Sequence, residues 1–238
     1  MKHLVAVLWL ATAAEAAPPL IVYYEIRPPY TDMRDGKLEG LLGPPAIGAL
    51  QRAGIDYVLR EAPYNRHMAL IGRNLEPACA IGRFKTAERE ALGKFSEPIY
   101  RDQPFVVLVR HGNPRLHGLR RFDKILADDR LVVAVRENYS YGAYADGLLP
   151  RAAARVLRSP ASHADMARMV LHQMADLMMV TADEADSIRR SLGSIGEGLS
   201  IWQLEDMRYG ELRYFYCARQ VDDALLRRLN THIPPLPN

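Results

Sequence analysis

The sequence predicts an α/β protein, and two patterns carry that expectation. Short apolar runs of strand length recur along the chain, and the stretches between them show helix caps and helical spacing. Alternating strands and helices of this length argue for a parallel sheet covered on both faces. The 238 residues set the scale: one large domain, or two lobes of roughly 100–120 residues each.

Residues 20–26 (LIVYYEI) read as a central parallel strand that stops at Arg27-Pro28-Pro29-Tyr30, where proline ends the ladder. A helix over residues 45–53 ends at Gly54, and residues 56–62 form the second strand. Asn65 caps a short helix over 66–72, with Arg66 facing either the cleft or, the favoured reading, solvent or a structural ion pair. An apolar run over 78–81 is a buried strand that breaks at Gly82. Thr86-Ala87-Glu88-Arg89 then starts a helix with Thr86 as its cap. A strand feeding a helix through a glycine-bearing loop offers free backbone N–H groups and the positive end of the helix dipole. Arg89 adds a planar fork of donors suited to a carboxylate, so this stretch is expected to form one wall of an anion-binding cleft.

The second half repeats the theme. Residues 105–110 (FVVLVR) are a strand, Gly112-Asn113-Pro114 is loop chemistry, and 122–127 form a helical turn. A strand over 131–136 leads into Glu137-Asn138-Tyr139-Ser140-Tyr141-Gly142 and a helix to about Leu149. The Ser140 hydroxyl and the free N–H groups are suited to the other side of a ligand carboxylate; the plain alternative is a helix cap. Met166, Met169, Val170 and Met174 fall on one side of a helix starting at Ser162 and are expected in the core. A strand over 176–180 precedes Thr181-Ala182-Asp183-Glu184, which reads as a capping box. The glycine-rich 193–198 follows a helix and precedes a strand, the wrong order for a nucleotide loop, so it is a turn. Strands over 199–204 and 211–219 and a helix over 222–232 close the chain.

Composition is that of an ordinary globular protein, 49% hydrophobic and 25% charged. The formal charge of +3 comes from scattered arginines with no basic block interleaved with aromatics, which argues against nucleic-acid binding. The start of the chain has Lys2 and His3, an apolar stretch, and Ala14-Glu15-Ala16, the pattern of a secretory signal peptide over residues 1–16. Its apolar stretch is too short to span a bilayer, so export to an oxidising compartment is expected. Cys79 and Cys217 both lie in apolar strand-like runs and are either a disulfide or two buried thiols. They are too far apart in sequence, and the histidines too scattered, for a zinc site. No cofactor is expected.

The run Lys85-Thr86-Ala87-Glu88-Arg89, followed by Phe95-Ser96-Glu97-Pro98-Ile99-Tyr100, resembles the T-x-E-R … F-S-x-P-Y signature of the family 3 extracellular solute-binding proteins. These are the periplasmic amino-acid receptors of ABC importers. Pro28-Pro29-Tyr30, Gly36 to Gly40 and the second strand-loop-helix follow the family in order. The resemblance implies a type II periplasmic binding fold: two α/β lobes and two crossing strands, with residues 17–108 and 213–238 in one lobe and 109–212 in the other. It places Glu25, Tyr30, Phe84, Lys85, Thr86 and Arg89 on one side of a ligand, and Asn138, Tyr139, Ser140 and Thr181 on the other. It also makes the strands of Cys79 and Cys217 neighbours in the first sheet, where a disulfide is conceivable. The chain departs from the family at Thr181, where amino-acid receptors place an Asp for the ligand ammonium.

The function so implied is capture of a small carboxylate-bearing, amino-acid-like ligand by a monomer, for an ABC permease or a membrane sensor, with no chemistry performed. The alternatives are a dehydratase-like enzyme on the same scaffold, using Glu25 or Glu184, and a soluble periplasmic sensor module.

Overall fold

The computed structural model describes residues 18–237; the expected signal peptide over residues 1–16 lies outside the described residues. The first lobe opens with β1 (Leu20–Tyr24), a hairpin of β2 (Asp32–Arg34) and β3 (Lys37–Glu39), and α1 (Gly43–Arg52). It continues with β4 (Tyr57–Glu61), α2 (Tyr64–Arg73), β5 (Ala78–Arg83), α3 (Ala87–Leu92), β6 (Gly93–Phe95) and β7 (Tyr100–Arg101). The second lobe contains β8 (Phe105–Arg110), α4 (Phe122–Leu126), β9 (Val132–Arg136), α5 (Gly142–Leu148) and β10 (Arg155–Ser159). It ends with α6 (His163–Leu171), β11 (Leu177–Thr181), α7 (Ala182–Ser191) and β12 (Leu199–Gln203). The chain then returns to the first lobe as β13 (Leu212–Ala218) and α8 (Asp223–Asn230).

The first sheet has the order β4-β1-β5-β13-β6, with β7 also pairing β13; the second has the order β10-β9-β11-β8-β12. β1 is parallel to β4 and β5, whereas the returning β13 runs antiparallel to β5 and β6. In the second sheet β9, β10 and β11 are parallel, β8 runs antiparallel to β11, and β12 pairs antiparallel with β8. Both faces of each sheet are covered by apolar clusters. One holds Val22, Leu50 and Phe215 and another Tyr23, Ile71 and Tyr216; in the second lobe they form around Val107, Phe122 and Val133, and around Leu108, Met166 and Val180. Fully buried central strands explain the near-continuous apolar runs in the sequence.

Several elements differ from their sequence expectation for identifiable reasons. β8 pairs over its full length in the second sheet, so the chain leaves the first sheet at residues 102–104, ahead of the expected boundary between 108 and 109. It returns through residues 204–211. Asn65 lies inside α2, whose cap is Pro63, so Asn65 caps nothing. The helix from Ser162 stops at Leu171, and Met174 is exposed beyond it; the stripe keeps only Met166 and Val170 buried, with Met169 half-buried. β10 carries few buried side chains and gave no apolar run to find.

Gly82 does not end the strand. It has φ +74° inside β5, opposite a register shift between Tyr214 and Tyr216 of β13. That is a bulge in which glycine supplies the left-handed backbone, and bulges turn the next side chain out of the sheet's alternation. The next side chain is Arg83.

Cys79 and Cys217 stand opposite each other in the β5–β13 ladder and are joined by a disulfide. The bond fastens the returning strand to the middle of the first sheet.

Candidate functional site

The two lobes face each other across a cleft lined by the ends of β1, β5, β9 and β11 and the loops that follow them. Open α/β sheets place ligands outside the carboxyl ends of their strands, and this is such a place. Between the Thr86–Arg89 turn and Asn138–Ser140 lies a gap of about 620 Å³. Below it a second cavity of about 20 Å³, room for about one water, is walled by Arg27, Arg83, Phe84, His163, Thr181 and Glu184. Arg89, Tyr139 and Ser140 line both.

Thr86 caps α3 as its residue type requires, its hydroxyl accepting from the Arg89 N–H at 3.3 Å. Arg89 folds inward and is buried. Its Nη1 donates to the Phe84 carbonyl at 2.7 Å and its Nη2 to the Tyr64 hydroxyl at 2.6 Å. Two of its five N–H groups are thereby held, which fixes the fork in place with donors to spare.

Much of the cleft is closed by contacts between the lobes themselves. Arg27 Nε and Nη2 donate to both oxygens of Glu184 at 2.6 and 2.5 Å. Arg136 reaches Glu25 at 2.9 Å. The Tyr64 hydroxyl donates to the Asn138 carbonyl at 3.1 Å, and its ring lies 4.2 Å from that of Tyr139. Tyr139 also carries the Arg27 and Arg136 guanidinium groups on its face and accepts from Arg136 Nη1 at 2.7 Å. Arg213 is buried, bound to Asp102 at 2.6 Å and to the Gly82 carbonyl at 2.9 Å, and lies over the Tyr30 ring.

The structure brings Thr86, Arg89, Asn138, Tyr139, Ser140, Phe84, Glu25 and Thr181 to the cleft or its walls, and it separates others from it. The resemblance places Tyr30 beside a ligand, yet it is 1% exposed in the first lobe's core, its hydroxyl 2.6 Å from the Thr181 hydroxyl. Thr181 holds the N-cap position of α7 but its side chain makes no cap hydrogen bond, and Glu184 does not reach back to it; the capping box is absent because both side chains serve the contact between lobes. Lys85 points to solvent and pairs with Glu90 at 2.9 Å. The Ser140 hydroxyl donates to Asp146 at 2.6 Å and accepts from the Gly142 N–H, so it acts first as a brace for the α5 start. Phe84 lies edge-on to Phe105.

Sequence reasoning missed Arg27, Tyr64, Arg83, Arg136, His163 and Arg213. Each is a common residue type at a strand end or helix start, and only the meeting of the lobes gives it a partner. The one signal was in plain view for Arg83: a glycine interrupting an apolar strand immediately before an arginine.

Burial decides which of these groups are charged. It would raise the Glu184 carboxyl, but Arg27 and then His163 hold it down at about 2. Burial pushes His163 down to about 4, despite Glu184 at 3.4 Å, because Arg27 and Arg136 add to the desolvation. Burial also lowers His67, with Arg83 and Arg136 contributing. Both histidines therefore take up a proton more readily in the unfolded chain, whose value is near 6.5, than in the folded one. Stability is complete above about pH 6.5 and falls as the pH drops below it; Glu184 adds a second loss as the pH falls from 4.5 towards about 2. The urea midpoint is expected to decline from about pH 6.5 downward, and less steeply in His67→Gln. A midpoint constant between about pH 7 and pH 5 contradicts this.

Two α/β lobes, two crossings and a cleft walled from both sides define the type II periplasmic binding-protein fold. Solved structures of that class match about nine-tenths of the chain. An ancestral arginine-binding protein bound to glutamine superposes with a TM-score of 0.70 at 15% identity over 92% of each chain. The amino-acid ABC transporter substrate-binding protein AbpA of Streptococcus pneumoniae, bound to L-arginine, gives 0.66 at 16% identity over 90% of this chain and 86% of that one. The GluR0 ligand-binding core of Nostoc punctiforme with L-glutamate gives 0.65 at 20% identity over 90% and 91%. These identities establish the fold. No protein-family model matches the chain, and no curated protein is significantly similar to it in sequence.

Proposed function

We propose that the chain is a divergent family 3 solute-binding protein. It captures a small carboxylate-bearing ligand between its lobes and delivers it, or news of it, to an ABC permease or a membrane sensor. The observation that carries this reading is the gap between the Thr86–Arg89 turn and Asn138–Ser140, with the Arg89 guanidinium buried beside it. A preformed fork of donors in a partly dry cleft is suited to a carboxylate and gains strength from the low local dielectric. Closure then follows from contacts made by both lobes: a ligand touching Arg89 and Tyr139 together favours the shut form over the open one. The solved neighbours named above bind glutamine, arginine and glutamate, which supports a small amino-acid-like solute.

The expected setting is the periplasm, reached by way of the signal peptide over residues 1–16, with the mature protein a monomer. Among the described residues no helix is long and apolar enough to cross a membrane. The protein needs no cofactor and performs no chemistry in this reading.

A thermal-shift screen of organic acids and amino acids tests it, supported by mass spectrometry of any small molecule that co-purifies. The bound ligand is expected to raise the melting temperature by mass action. Arg89→Ala should abolish the shift given by a carboxylate, and an undiminished shift would refute the role assigned to Arg89. Turnover of a candidate acid instead of simple stabilisation would favour the enzymatic alternative through Glu25 or Glu184.

A further inference from the structure

We propose that Glu25 is a two-position switch: it ties the lobes together through Arg136 when they are shut and turns to Arg83, in its own lobe, when they part. This deepens the receptor reading above, and it rests on the lobe movement in that reading, not on the ligand. In the shut arrangement only one oxygen of the carboxylate is used. Glu25 Oε1 accepts from Arg136 Nη2 at 2.9 Å across the cleft, whereas its buried Oε2 has no partner. Arg83 is only 5% exposed, its Nε has no partner either, and it forms no ion pair among the described residues. An acceptor and a donor of opposite charge, both buried and both unmatched, are costly, and folded chains rarely keep them.

The two groups meet at one small cavity. Glu25 and Arg83 both line a space of about 10 Å³, with Tyr30, Leu42, Ile81 and Arg213 among its other walls. All of its walls belong to the first lobe, so it travels intact when the second lobe swings away. Local geometry puts both residues there. β1 and β5 are parallel neighbours with Tyr23 opposite Ala80, so both strands end on the same side of the sheet. The Gly82 bulge then turns Arg83 out of the β5 alternation, to the cavity that Glu25 reaches from the end of β1.

The two charges already feel each other. Burial would raise the Glu25 carboxyl, but Arg83 and then Arg136 hold it below its ordinary value. Burial lowers the Arg83 guanidinium, with Tyr64 and then Glu25 opposing it. The Tyr64 ring, 4.7 Å from that guanidinium, is a neutral wall and leaves the charge unmatched.

Opening releases Glu25, because Arg136 departs with β9. Arg27 lines the same cavity and is freed from Glu184 by the same movement, but it points across the cleft and is wetted as the lobes part. A turn of the Glu25 side chain towards Arg83 then gives both unmatched atoms a partner in a charge-assisted bond. The exchange offsets part of what opening loses at Arg136 and so draws the two forms closer in free energy. A ligand with a modest preference for the shut form can then shift the balance.

Energy transfer between one dye on each lobe, measured without ligand, tests the switch. The parent for the comparison is Arg27→Ala, which lacks both the tie to Glu184 and the competing cation. Arg136→Met is expected to lower its closed-to-open ratio by about tenfold or more, and Arg83→Met to raise it by about tenfold or more. Removing a buried charge would by itself favour the shut form, so each substitution is repeated together with Glu25→Gln. Both effects should then shrink by about threefold or more, since the carboxylate they share is gone. An Arg83→Met effect that is absent, reversed, or as large beside Glu25→Gln overturns the inference and leaves the receptor reading standing. If Arg27→Ala and Arg136→Met together leave the lobes shut, the movement itself is missing and both fall. If Arg83→Met does not fold, a crystal structure of the opened Arg27→Ala protein decides. Glu25 Oε2 within hydrogen-bond reach of Arg83 Nε supports the switch, and a Glu25 side chain turned to solvent refutes it.

Discussion

Arg27→Ala is expected to part the two lobes without unfolding either. Its guanidinium bonds both oxygens of Glu184, a carboxylate only 2% exposed in its side chain, on the opposite lobe. Deleting one partner of a buried pair strands the other, at a cost of about 3–5 kcal/mol. In a single packed core that cost would appear as lost global stability. Here the stranded Glu184 has another escape, because opening the cleft returns it to water. The penalty therefore falls on the closed form, and about 3–5 kcal/mol moves a closed-to-open ratio by a factor of roughly a hundred to several thousand. Small-angle scattering should show a larger radius of gyration for the variant, with far-UV dichroism and the urea midpoint close to those of the parent. An unchanged radius with a sharply lowered midpoint would instead make the pair part of one rigid core.

Reduction of Cys79–Cys217, or their joint replacement by serine, should lower stability by up to about 5 kcal/mol if the constraint on the unfolded chain dominates. The cross-link spans 138 residues and so closes the whole second lobe, with the first-lobe segments flanking it, into one loop of the unfolded chain. Packing points the same way: both residues are fully buried, and serine would leave hydroxyls in an apolar cluster with Val22 and Phe215. Chemical denaturation with and without reductant measures the effect. A midpoint shift of less than about 0.2 M urea would show that the two strands hold together without the bond.

The fold was legible in the sequence wherever burial is two-sided. Residues 105–110 stand out as a strand because both faces of β8 are covered, and the start of α3 at Thr86 is visible because a threonine cap leaves a local signature. β10 and the short β6 and β7 were not legible, since edge or fragmentary strands need neither an apolar run nor alternation. In the cleft, Arg89 could be found because its helix position is local. Arg27 with Glu184, 157 residues apart, could not, because nothing near either residue distinguishes an inward charge from a solvated one. Tyr30 shows the opposite failure. A tyrosine after two prolines looks like a loop lip, but the loop folds back and places the ring under Arg213.

The order β4-β1-β5-β13-β6 has a consequence for how the molecule is made. The strand that fills the middle of the first sheet is the last to leave the ribosome, after every strand of the second lobe. Until it arrives, β5 presents a bare, apolar edge and β6 has nothing to pair with, whereas the second sheet already holds all five of its strands. Vectorial synthesis therefore favours maturation of the internal half before the half that begins the chain. During that interval the unfinished sheet offers an unpaired edge to any neighbouring chain.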